Sequence, residues 1–273
     1  MIIEIESLND YWDFIDEVSG DPNFSDPHYI YNKNNLLDAC HRSDEKVFAV
    51  FKENKAIGLF VFLILMNEKY IEMIIGLSKS SIAYSEMLNY LEEEYKEFQM
   101  DFVFNPKNYI LRQILNEKKA RIDTEQIKLN LVKDDILYEM NVNIQEYTPQ
   151  YEHKYLVLHT KDTYWTGEKV LKATNMFRVL LAIKNDEVIG YLDITYSFDE
   201  NEPYDLYVKK EYQWSGYERA LLAEAVRLNR PHGMMTLIDV DDVERVELFK
   251  SMGFVQMENQ NSVYATYKSS LQR

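Results

Sequence analysis

Residues 202–226 combine a strand, a glycine-containing turn and a helix in an order that could bind an anion. A run of alternating character, Tyr204 to Val208, predicts the strand. A charged and aromatic turn containing Gly216 follows, and an apolar face at helical spacing begins at Ala220. The first N–H groups of such a helix lack partners within it, and the helix dipole adds positive charge there. The stretch therefore predicts an anion site whose usual guest is a pyrophosphate.

Two carboxylates lie on or beside this strand, Glu202 and Asp205. A carboxylate in such a place could act as the general base that removes a proton from an attacking amine. The chain has 46 acidic residues, so a carboxylate near any strand is expected by chance, and an ordinary solvated role for Glu202 stays open. Asp205 alternates with Leu206 along the strand, which favours the opposite face for its side chain.

The strand, turn and helix together resemble those of the GNAT acyltransferase superfamily. The family pattern is a strand ending in Leu-x-Val, a loop Gln/Arg-x-x-Gly-x-Gly/Ala and a helix beginning x-Ala-Leu-Leu. This chain reads Leu206-Tyr207-Val208, then Gln213-Trp214-Ser215-Gly216-Tyr217-Glu218, then Arg219-Ala220-Leu221-Leu222. Glu218 departs from the pattern. A carboxylate there suits the positive end of an empty helix, but it repels a bound pyrophosphate unless it turns outward.

The resemblance implies that an amine attacks the thioester of acetyl-CoA directly, with no acyl-enzyme. It places the pantetheine arm and the thioester along the backbone of the Tyr204–Val208 strand, and the pyrophosphate on the amides of Gln213 to Arg219. Glu202 stands where some members have a catalytic glutamate. The cofactor-binding residues expected on this basis are Leu206, Tyr207, Val208, Gln213, Trp214, Ser215, Gly216, Tyr217, Glu218, Arg219 and Phe249.

The resemblance also identifies a missing group. Many members protonate the leaving thiolate with a tyrosine in a helix that ends Leu-Tyr-x-x-x-Gly-Phe. The corresponding run here is Leu248-Phe249-Lys250-Ser251-Met252-Gly253-Phe254, so the family frame is present but the hydroxyl is not. Another group such as Tyr264 could serve, the thiolate could leave unassisted, or the domain could bind without catalysing. Asp242, where the family often has Asn, reads as a helix N-cap.

The chain contains an internal repeat. Val47–Phe60 reads VFAVFKENKAIGLF and Val179–Leu192 reads VLLAIKNDEVIGYL, each a strand, a polar turn and a second strand opened by Ile-Gly. Gly58 and Gly190 are 132 residues apart. Matching helices and strands continue on both sides of the two hairpins. The sequence therefore predicts two tandem copies of one architecture, which the resemblance identifies as GNAT-like.

The two copies differ where the anion site is expected. The first copy reads Ser78-Lys79-Ser80-Ser81 after its strand, with no glycine to let the backbone wrap a phosphate. Ser80 or Ser81 fits an ordinary helix N-cap. We therefore expect the first copy to be a degenerate domain and the second to carry the acyl-CoA site.

The predicted fold class is mixed α/β, with a mostly antiparallel mixed sheet flanked by helices in each of two GNAT-like domains. The predicted boundary is the charged step Lys133-Asp134-Asp135, giving domains 1–134 and 135–273. Between the copies, Gln145 to Thr163 is rich in Tyr and His, and it is expected to be irregular at the domain junction.

The composition narrows the classes of function. A net charge of −16 argues against a nucleic-acid surface, because phosphate binding needs clustered Lys and Arg. No apolar run reaches membrane-spanning length, and the acidic N-terminus lacks the features of a signal peptide. The lone cysteine, Cys40, fits a reducing compartment and predicts a cytoplasmic protein. The histidines show no metal-ligand spacing, so no metal site is predicted. Whether the chain forms a homodimer stays open.

The function predicted from the sequence is an N-acetyltransferase that uses acetyl-CoA and acts, through the second domain, on a small-molecule or peptide amine. Its candidate catalytic residues are Glu202, Asp205 and Tyr264. The alternative is a catalytically silent GNAT-like module that binds an acyl-CoA or a protein, as Glu218 and Phe249 could indicate.

Overall fold

A computed structural model describes residues 1–133, 142–160 and 164–268 of the chain. Within these residues the chain divides into two compact units. Unit 1 comprises Met1–Ile127, Asp239–Asp241 and Glu258–Arg273, and unit 2 comprises Lys128–Ile238 and Asp242–Met257. The expected boundary residues Asp134 and Asp135 lie outside the described residues. The units also differ from the expected contiguous domains, because the last strand of the chain belongs to unit 1.

Unit 1 is an α/β unit with a mixed sheet. Its elements are β1 (Ile2–Glu4), α1 (Trp12–Ser19), α2 (Pro27–Tyr31), α3 (Asn34–Leu37), β2 (Glu45–Lys52), β3 (Lys55–Leu65), β4 (Tyr70–Leu77), α4 (Ser81–Glu94), β5 (Gln99–Phe104), α5 (Tyr109–Glu117), β6 (Arg121–Leu131, whose last residues belong to unit 2) and β14 (Ser262–Lys268). The strands run in the order β1, β2, β3, β4, β5, β14 and β6. All pairs are antiparallel except β4 with β5, which is parallel.

Unit 2 repeats this order of elements. They are β7 (Asn143–Glu146), α6 (Glu152–Leu158), α7 (Gly167–Lys172), β8 (Phe177–Lys184), β9 (Glu187–Thr195), β10 (Glu200–Asn201), β11 (Pro203–Val208), α8 (Tyr217–Asn229), β12 (Gly233–Asp239), α9 (Val243–Ser251) and β13 (Phe254–Gln256). Short 3-10 helices cover Ala39–His41, Met66–Glu68, Pro149–Tyr151 and Lys210–Tyr212 in the two units. Helix α6 corrects the expectation of irregular structure over Gln145 to Thr163, of which 161–163 lie outside the described residues.

The predicted repeat is visible in backbone detail. Each copy has a tight hairpin, β2–β3 or β8–β9, whose two turn residues have positive φ, at Glu53-Asn54 and at Asn185-Asp186. Asn and Asp tolerate this conformation, and such turns match the natural twist of a hairpin. Each hairpin also has a bulge on its second strand just before the glycine of the Ile-Gly pair, Gly58 or Gly190. The shared irregularity confirms that the hairpins are equivalent.

Each unit has its own apolar core. In unit 1, α4 and α5 pack on one sheet face around Phe60, Phe62 and Leu91, and α1 to α3 cover the other face. In unit 2, α6 and α7 cover one face around Tyr155, Val170 and Leu181. Among the described residues, no helix has both the length and the apolar character needed to cross a membrane.

Candidate functional site

The candidate site of unit 2 begins where two neighbouring strands separate. Strand β10 pairs in parallel with β12 through Glu200 and Asn201, whereas β11 pairs antiparallel with β9. The chain therefore leaves one strand partner and joins another within a single residue, Glu202. Beyond this residue, β11 and β12 have no ladder pairing with each other among the described strands. Glu202 thus lies at the apex of an opening between them.

The free edge of β11 faces this opening. The N–H of Lys209 donates to the carbonyl of Ile189 at 2.8 Å, which sets the alternation of the strand. Backbone groups alternate in direction, so the N–H groups of Leu206 and Val208 point away from β9. A cavity of about 250 Å³ lies on this side, and its lining residues are Leu206, Tyr207, Val208, Gln213, Trp214, Glu218, Asp242, Glu244, Arg245 and Leu248.

The loop between β11 and α8 has the conformation that the sequence required of its glycine. Gly216 caps α8 with φ of 95°, a value that L side chains rarely adopt, and Trp214 is also left-handed at 59°. The side-chain amide of Gln213 donates to the carbonyl of Val208 at 3.0 Å, which fixes the loop to the end of β11. Within the described chain, the N–H groups of Gly216 to Arg219 have no protein acceptor. The start of α8 therefore retains the open donors of an anion site.

Glu218 points inward, onto the same loop. Its Oε1 accepts a hydrogen bond from the N–H of Trp214 at 3.1 Å, and the residue is only 7% exposed. The sequence left open whether this side chain turns outward. The structure shows that it does not, and one amide of the predicted pyrophosphate site is occupied by a carboxylate of the protein itself.

Glu202 has the environment of a base that titrates near neutrality. Its N–H donates to the hydroxyl of Thr195 at 2.7 Å, which holds the strand at the apex. Burial raises the pKa of Glu202 to about 7, although the charge of Lys128 and the backbone N–H of Leu237 oppose the rise. Lys128 is itself buried and lies 3.4 Å from Glu200. Burial lowers the pKa of Lys128 below its usual value, and the opposing charges of Glu200 and Glu202 do not offset this effect.

Asp205 lies on the other face of β11, as its alternation with Leu206 predicted. Its Oδ2 accepts from the hydroxyl of Tyr191 at 2.6 Å and lies 3.8 Å from Nε2 of His159. This places the carboxylate among the side chains under α6, away from the cavity lined by Leu206 and Val208.

A buried polar cluster stands behind Asp205. Asp193, which is fully buried, accepts from the hydroxyl of Tyr155 at 2.9 Å and lies 2.8 Å from Nε2 of His159. Burial lowers the pKa of His159, but the hydrogen bond and charge of Asp193 outweigh this effect and raise it. Burial raises the pKa of Asp193 to about 6 against the effect of His159.

The same cluster is the set of residues in the described chain whose spacing could hold a metal ion, namely His159, Asp193 and Asp205. The sequence predicted no metal site. Tyrosine hydroxyls donate to both carboxylates, from Tyr155 to Asp193 and from Tyr191 to Asp205. The cluster is therefore satisfied by hydrogen bonds within the protein. The sequence could not indicate it, since His159 and Asp193 lie 34 residues apart.

Two predicted site residues lie elsewhere. Tyr264 is on β14, which belongs to unit 1, where it pairs with Val103 of β5 and donates to Asp101. This corrects the expectation that Tyr264 belongs to the second domain, while its role as a proton donor stays a prediction. Phe249 is completely buried and packs on Phe254, with ring centroids 5.1 Å apart, so it is a core residue and not a cavity residue.

The remaining predictions fall on the loop and its flanks. Six of the predicted cofactor-binding residues line the cavity, and Ser215, Gly216, Tyr217 and Arg219 form the turn and the first turn of α8 without lining it. Asp242 caps α9 by accepting from the N–H of Arg245 at 3.0 Å, as predicted. Arg245 was missed. Its only sequence signal is its place in the first turn of α9, which the structure turns toward the cavity.

Comparisons with known proteins identify a family match and similar folds. Residues 175–256 match the family model described as an acetyltransferase (GNAT) domain. No curated protein matches the sequence. The fold is similar to a GCN5-related N-acetyltransferase from Sphaerobacter thermophilus, with 10% identity, a TM-score of 0.64, and coverage of 98% of this chain and 95% of that one.

Two further solved structures have the same fold. A tandem GNAT protein from the clavulanic acid biosynthesis pathway is 9% identical, with a TM-score of 0.56 and coverage of 100% of this chain and 99% of that one. A functionally unknown conserved protein from Staphylococcus epidermidis is 12% identical, with a TM-score of 0.63 and coverage of 81% and 94%. At these identities the similarity establishes the fold, which agrees with the predicted tandem arrangement.

Proposed function

We propose that this chain, a tandem protein of the GNAT superfamily whose GNAT domain matches at residues 175–256, transfers an acetyl group from acetyl-CoA to an amine through unit 2. The observation that carries the proposal is the opening between β11 and β12, with Glu202 at its apex and free N–H groups along one wall. An uncharged pantetheine arm fits the edge of β11, since a strand edge offers backbone donors and acceptors in register.

The chemistry would proceed by direct attack. Glu202 accepts a proton from the substrate ammonium, and the neutral amine attacks the thioester carbon. The N–H groups of Leu206 and Val208 stabilise the negative charge that develops on the carbonyl oxygen. The carbon–sulfur bond then breaks, and the thiolate takes up the proton that the new amide nitrogen loses. Phe249 has no hydroxyl and is buried, so it cannot protonate the thiolate directly.

The near-neutral pKa of Glu202 supports its role as base. A base is most effective when its pKa lies close to the working pH. The carboxylate of a solvated glutamate is too weak a base to take a proton readily from an ammonium group. Asp205 is a weaker candidate for this role because it faces the buried cluster under α6. We propose the acceptor only as a class, a small-molecule or peptide amine, and we propose the cytoplasm as the location, in keeping with the lone Cys40.

Calorimetry with acetyl-CoA tests the donor. We expect binding in the micromolar range and its loss in Gly216→Val, because a β-branched residue does not adopt a φ of 95° without strain, and a shifted loop displaces Gln213 and Trp214 from the cavity beside Val208. Gly233→Ala is the matched control, since an added Cβ there meets only ordinary contacts from 3.4 Å outward. Absence of binding to the wild-type protein at high micromolar acetyl-CoA would refute the proposal.

A second candidate function is a silent binding module. The position of Glu218 on the loop and the missing hydroxyl at Phe249 favour it. Thiol release from acetyl-CoA in the presence of an amine panel separates the two functions. Tight binding without thiol release from any amine would favour the module, and amine-dependent release would exclude it.

A further inference from the structure

The side chain of Glu218 acts on the loop where a donor's diphosphate would bind. It is more than nine-tenths buried, and its Oε1 accepts from the N–H of Trp214. An acidic side chain in the first turn of a helix is also stabilised by the helix dipole. The loop therefore already carries a negative charge that serves the same backbone group a phosphate oxygen would use.

The charges around the cavity reinforce this effect. Three carboxylates line it, those of Glu218, Asp242 and Glu244, against the single guanidinium of Arg245. A diphosphate entering this cavity meets the open N–H groups of Gly216 to Arg219, but it also meets a net negative lining and must displace Glu218 from Trp214. The pantetheine arm meets no such cost, because it is uncharged and uses the backbone of β11.

From these observations we infer that Glu218 determines donor specificity by cancelling the contribution of the diphosphate, so that unit 2 recognises pantetheine thioesters with or without the nucleotide part. This inference rests on the proposed function of the same site. It identifies the donor class as pantetheine thioesters and Glu218 as the residue that sets the class.

The experiment compares reduced CoA with reduced pantetheine by calorimetry, using the full chain. For the wild-type protein we expect the two dissociation constants to agree within about threefold. In Glu218→Gln the carboxylate charge is gone, and CoA affinity should rise about tenfold, the equivalent of one hydrogen bond to a charged group. Pantetheine affinity should change less than about twofold, because pantetheine does not reach the loop. Glu218→Ala should raise CoA affinity at least as much, since it leaves the Trp214 N–H open.

Glu211→Gln is the matched control. Glu211 is exposed, lies in the 3-10 helix just before the loop, and loses the same charge without lining the cavity. We expect it to leave both affinities within about twofold. Should Glu218→Gln fail to fold, Glu218→Asp keeps the charge but shortens its reach to Trp214, and it should also raise CoA affinity relative to pantetheine.

The outcomes separate this inference from the proposed function. If the wild-type protein already prefers CoA strongly and no Glu218 variant changes the ratio, the inference is overturned while acyl-CoA binding stands. If neither ligand binds to any variant, the proposed function fails and the inference fails with it. A rise confined to CoA in the Glu218 variants supports both.

Discussion

The two units have the same opening in the sheet and fill it differently. In unit 1, β4 pairs with β5 only from Tyr70 to Met73, and the two strands separate beyond that point. In unit 2 the separation occurs at Glu202. Both separations coincide with a bulge, since Ile74 is unpaired against β3 and Tyr204 is unpaired against β9. The residue two positions before each bulge is a glutamate, Glu72 or Glu202.

In unit 1 the opening is occupied by the chain itself. Oδ2 of Asp26 accepts from the N–H of Gly76 at 2.9 Å, and Nδ1 of His28 lies 2.7 Å from the carbonyl of Ile74. The hydroxyl of Tyr84 donates to the carbonyl of Gly76. The register makes Gly76 the equivalent of Leu206. The N–H that stays open at Leu206 in unit 2 is therefore satisfied by a side chain at the equivalent position of unit 1.

Under the proposed function, this difference would distinguish the copy of the fold that binds the donor from the copy that does not. A separated strand edge leaves backbone groups that must find partners. Unit 1 provides them from the segment around α2 and gains stability, while unit 2 keeps a cavity of about 250 Å³ beside the same groups. The following substitutions test the contrast, beginning with the largest expected effect.

Substitution of the two equivalent glutamates, Glu202 and Glu72, should give the largest difference in reaction rate between the units. Glu202→Gln should lower kcat about 10²- to 10⁴-fold without weakening acetyl-CoA binding, because it removes the proposed base. Burial also raises the pKa of Glu72, but its opening is filled, so Glu72→Gln should leave the rate unchanged. Steady-state thiol release measures both.

The pH dependence sharpens this prediction. Because the pKa of Glu202 is raised to about 7, the carboxylate is protonated and inactive below that pH, and the wild-type rate should rise as the pH increases through 7. In Glu202→Gln, this rising limb of the rate–pH profile should be absent. Equal losses of rate in the two variants would show that the glutamates do not differ in function.

Asp26 tests the occupied opening. Its carboxylate accepts from three backbone N–H groups, those of His28, Tyr29 and Gly76. Asp26→Ala should therefore cost about 3 kcal/mol in the free energy of unfolding, the upper range for a hydrogen-bonded charged group. Urea denaturation measures this, with exposed Asp16→Ala as control, for which less than about 0.5 kcal/mol is expected.

Asp26→Ala also tests whether the filled opening of unit 1 is the only feature that distinguishes the two units in acetyl-CoA binding. We expect the acetyl-CoA stoichiometry of Asp26→Ala to remain that of the wild type, because Ser78, Lys79 and Ser80 replace the glycine loop in unit 1. An additional bound acetyl-CoA per chain would show that the Asp26 contacts were the only barrier.

Substitution of the equivalent glycines, Gly190 and Gly58, should give a smaller difference in acetyl-CoA affinity. A Cβ on Gly190 would lie 2.8 Å from the carbonyl oxygen of Tyr207 and 2.9 Å from the side chain of Val208, so Gly190→Ala must displace β11. We expect acetyl-CoA affinity to fall about tenfold and stability to fall by about 1–3 kcal/mol.

Gly58→Ala is the matched control in unit 1. Its Cβ would approach the ring of Phe60 at 2.7 Å and the Cβ of Ala83 at 2.9 Å, which are core side chains. It should cost a similar amount of stability and leave acetyl-CoA binding unchanged. Calorimetry and urea denaturation measure the two quantities, and equal effects on binding would contradict the assignment of the donor site to unit 2.

The sequence predicted the parts of the fold that local patterns determine. The two hairpins were visible because their polar turns and Ile-Gly pairs recur at a fixed separation, and the loop of unit 2 was visible because Gly216 follows Gln213 at the family spacing. Ser80 caps α4 as expected, accepting from the N–H of Ala83. The structural neighbours agree with two tandem copies across the whole chain.

The remainder depended on contacts between distant residues. Nothing local in β14 tells which sheet it joins, so Tyr264 was assigned to the wrong unit. The direction of Glu218 depends on the left-handed conformation of Trp214, which a single sequence does not reveal. The filling of the unit 1 opening needs Asp26 to reach Gly76, 50 residues further along the chain. No periodicity predicts such a contact.

Substitution of Lys128 should have the smallest effect, a shift in the pH dependence of the rate. Its positive charge lowers the pKa of Glu202, so Lys128→Met, which keeps an apolar chain of similar length, should move the rising limb of the rate profile to higher pH. The nearby Glu200 carboxylate, 3.4 Å from Nζ of Lys128, also loses its ion pair. The maximal rate above the limb should stay close to that of the wild type, because Glu202 itself is intact. The half-buried Lys209 in the same unit is not among the groups that shift the pKa of Glu202, and Lys209→Met should leave the limb in place. A limb that stays fixed in Lys128→Met would show that Glu202 does not control the rate.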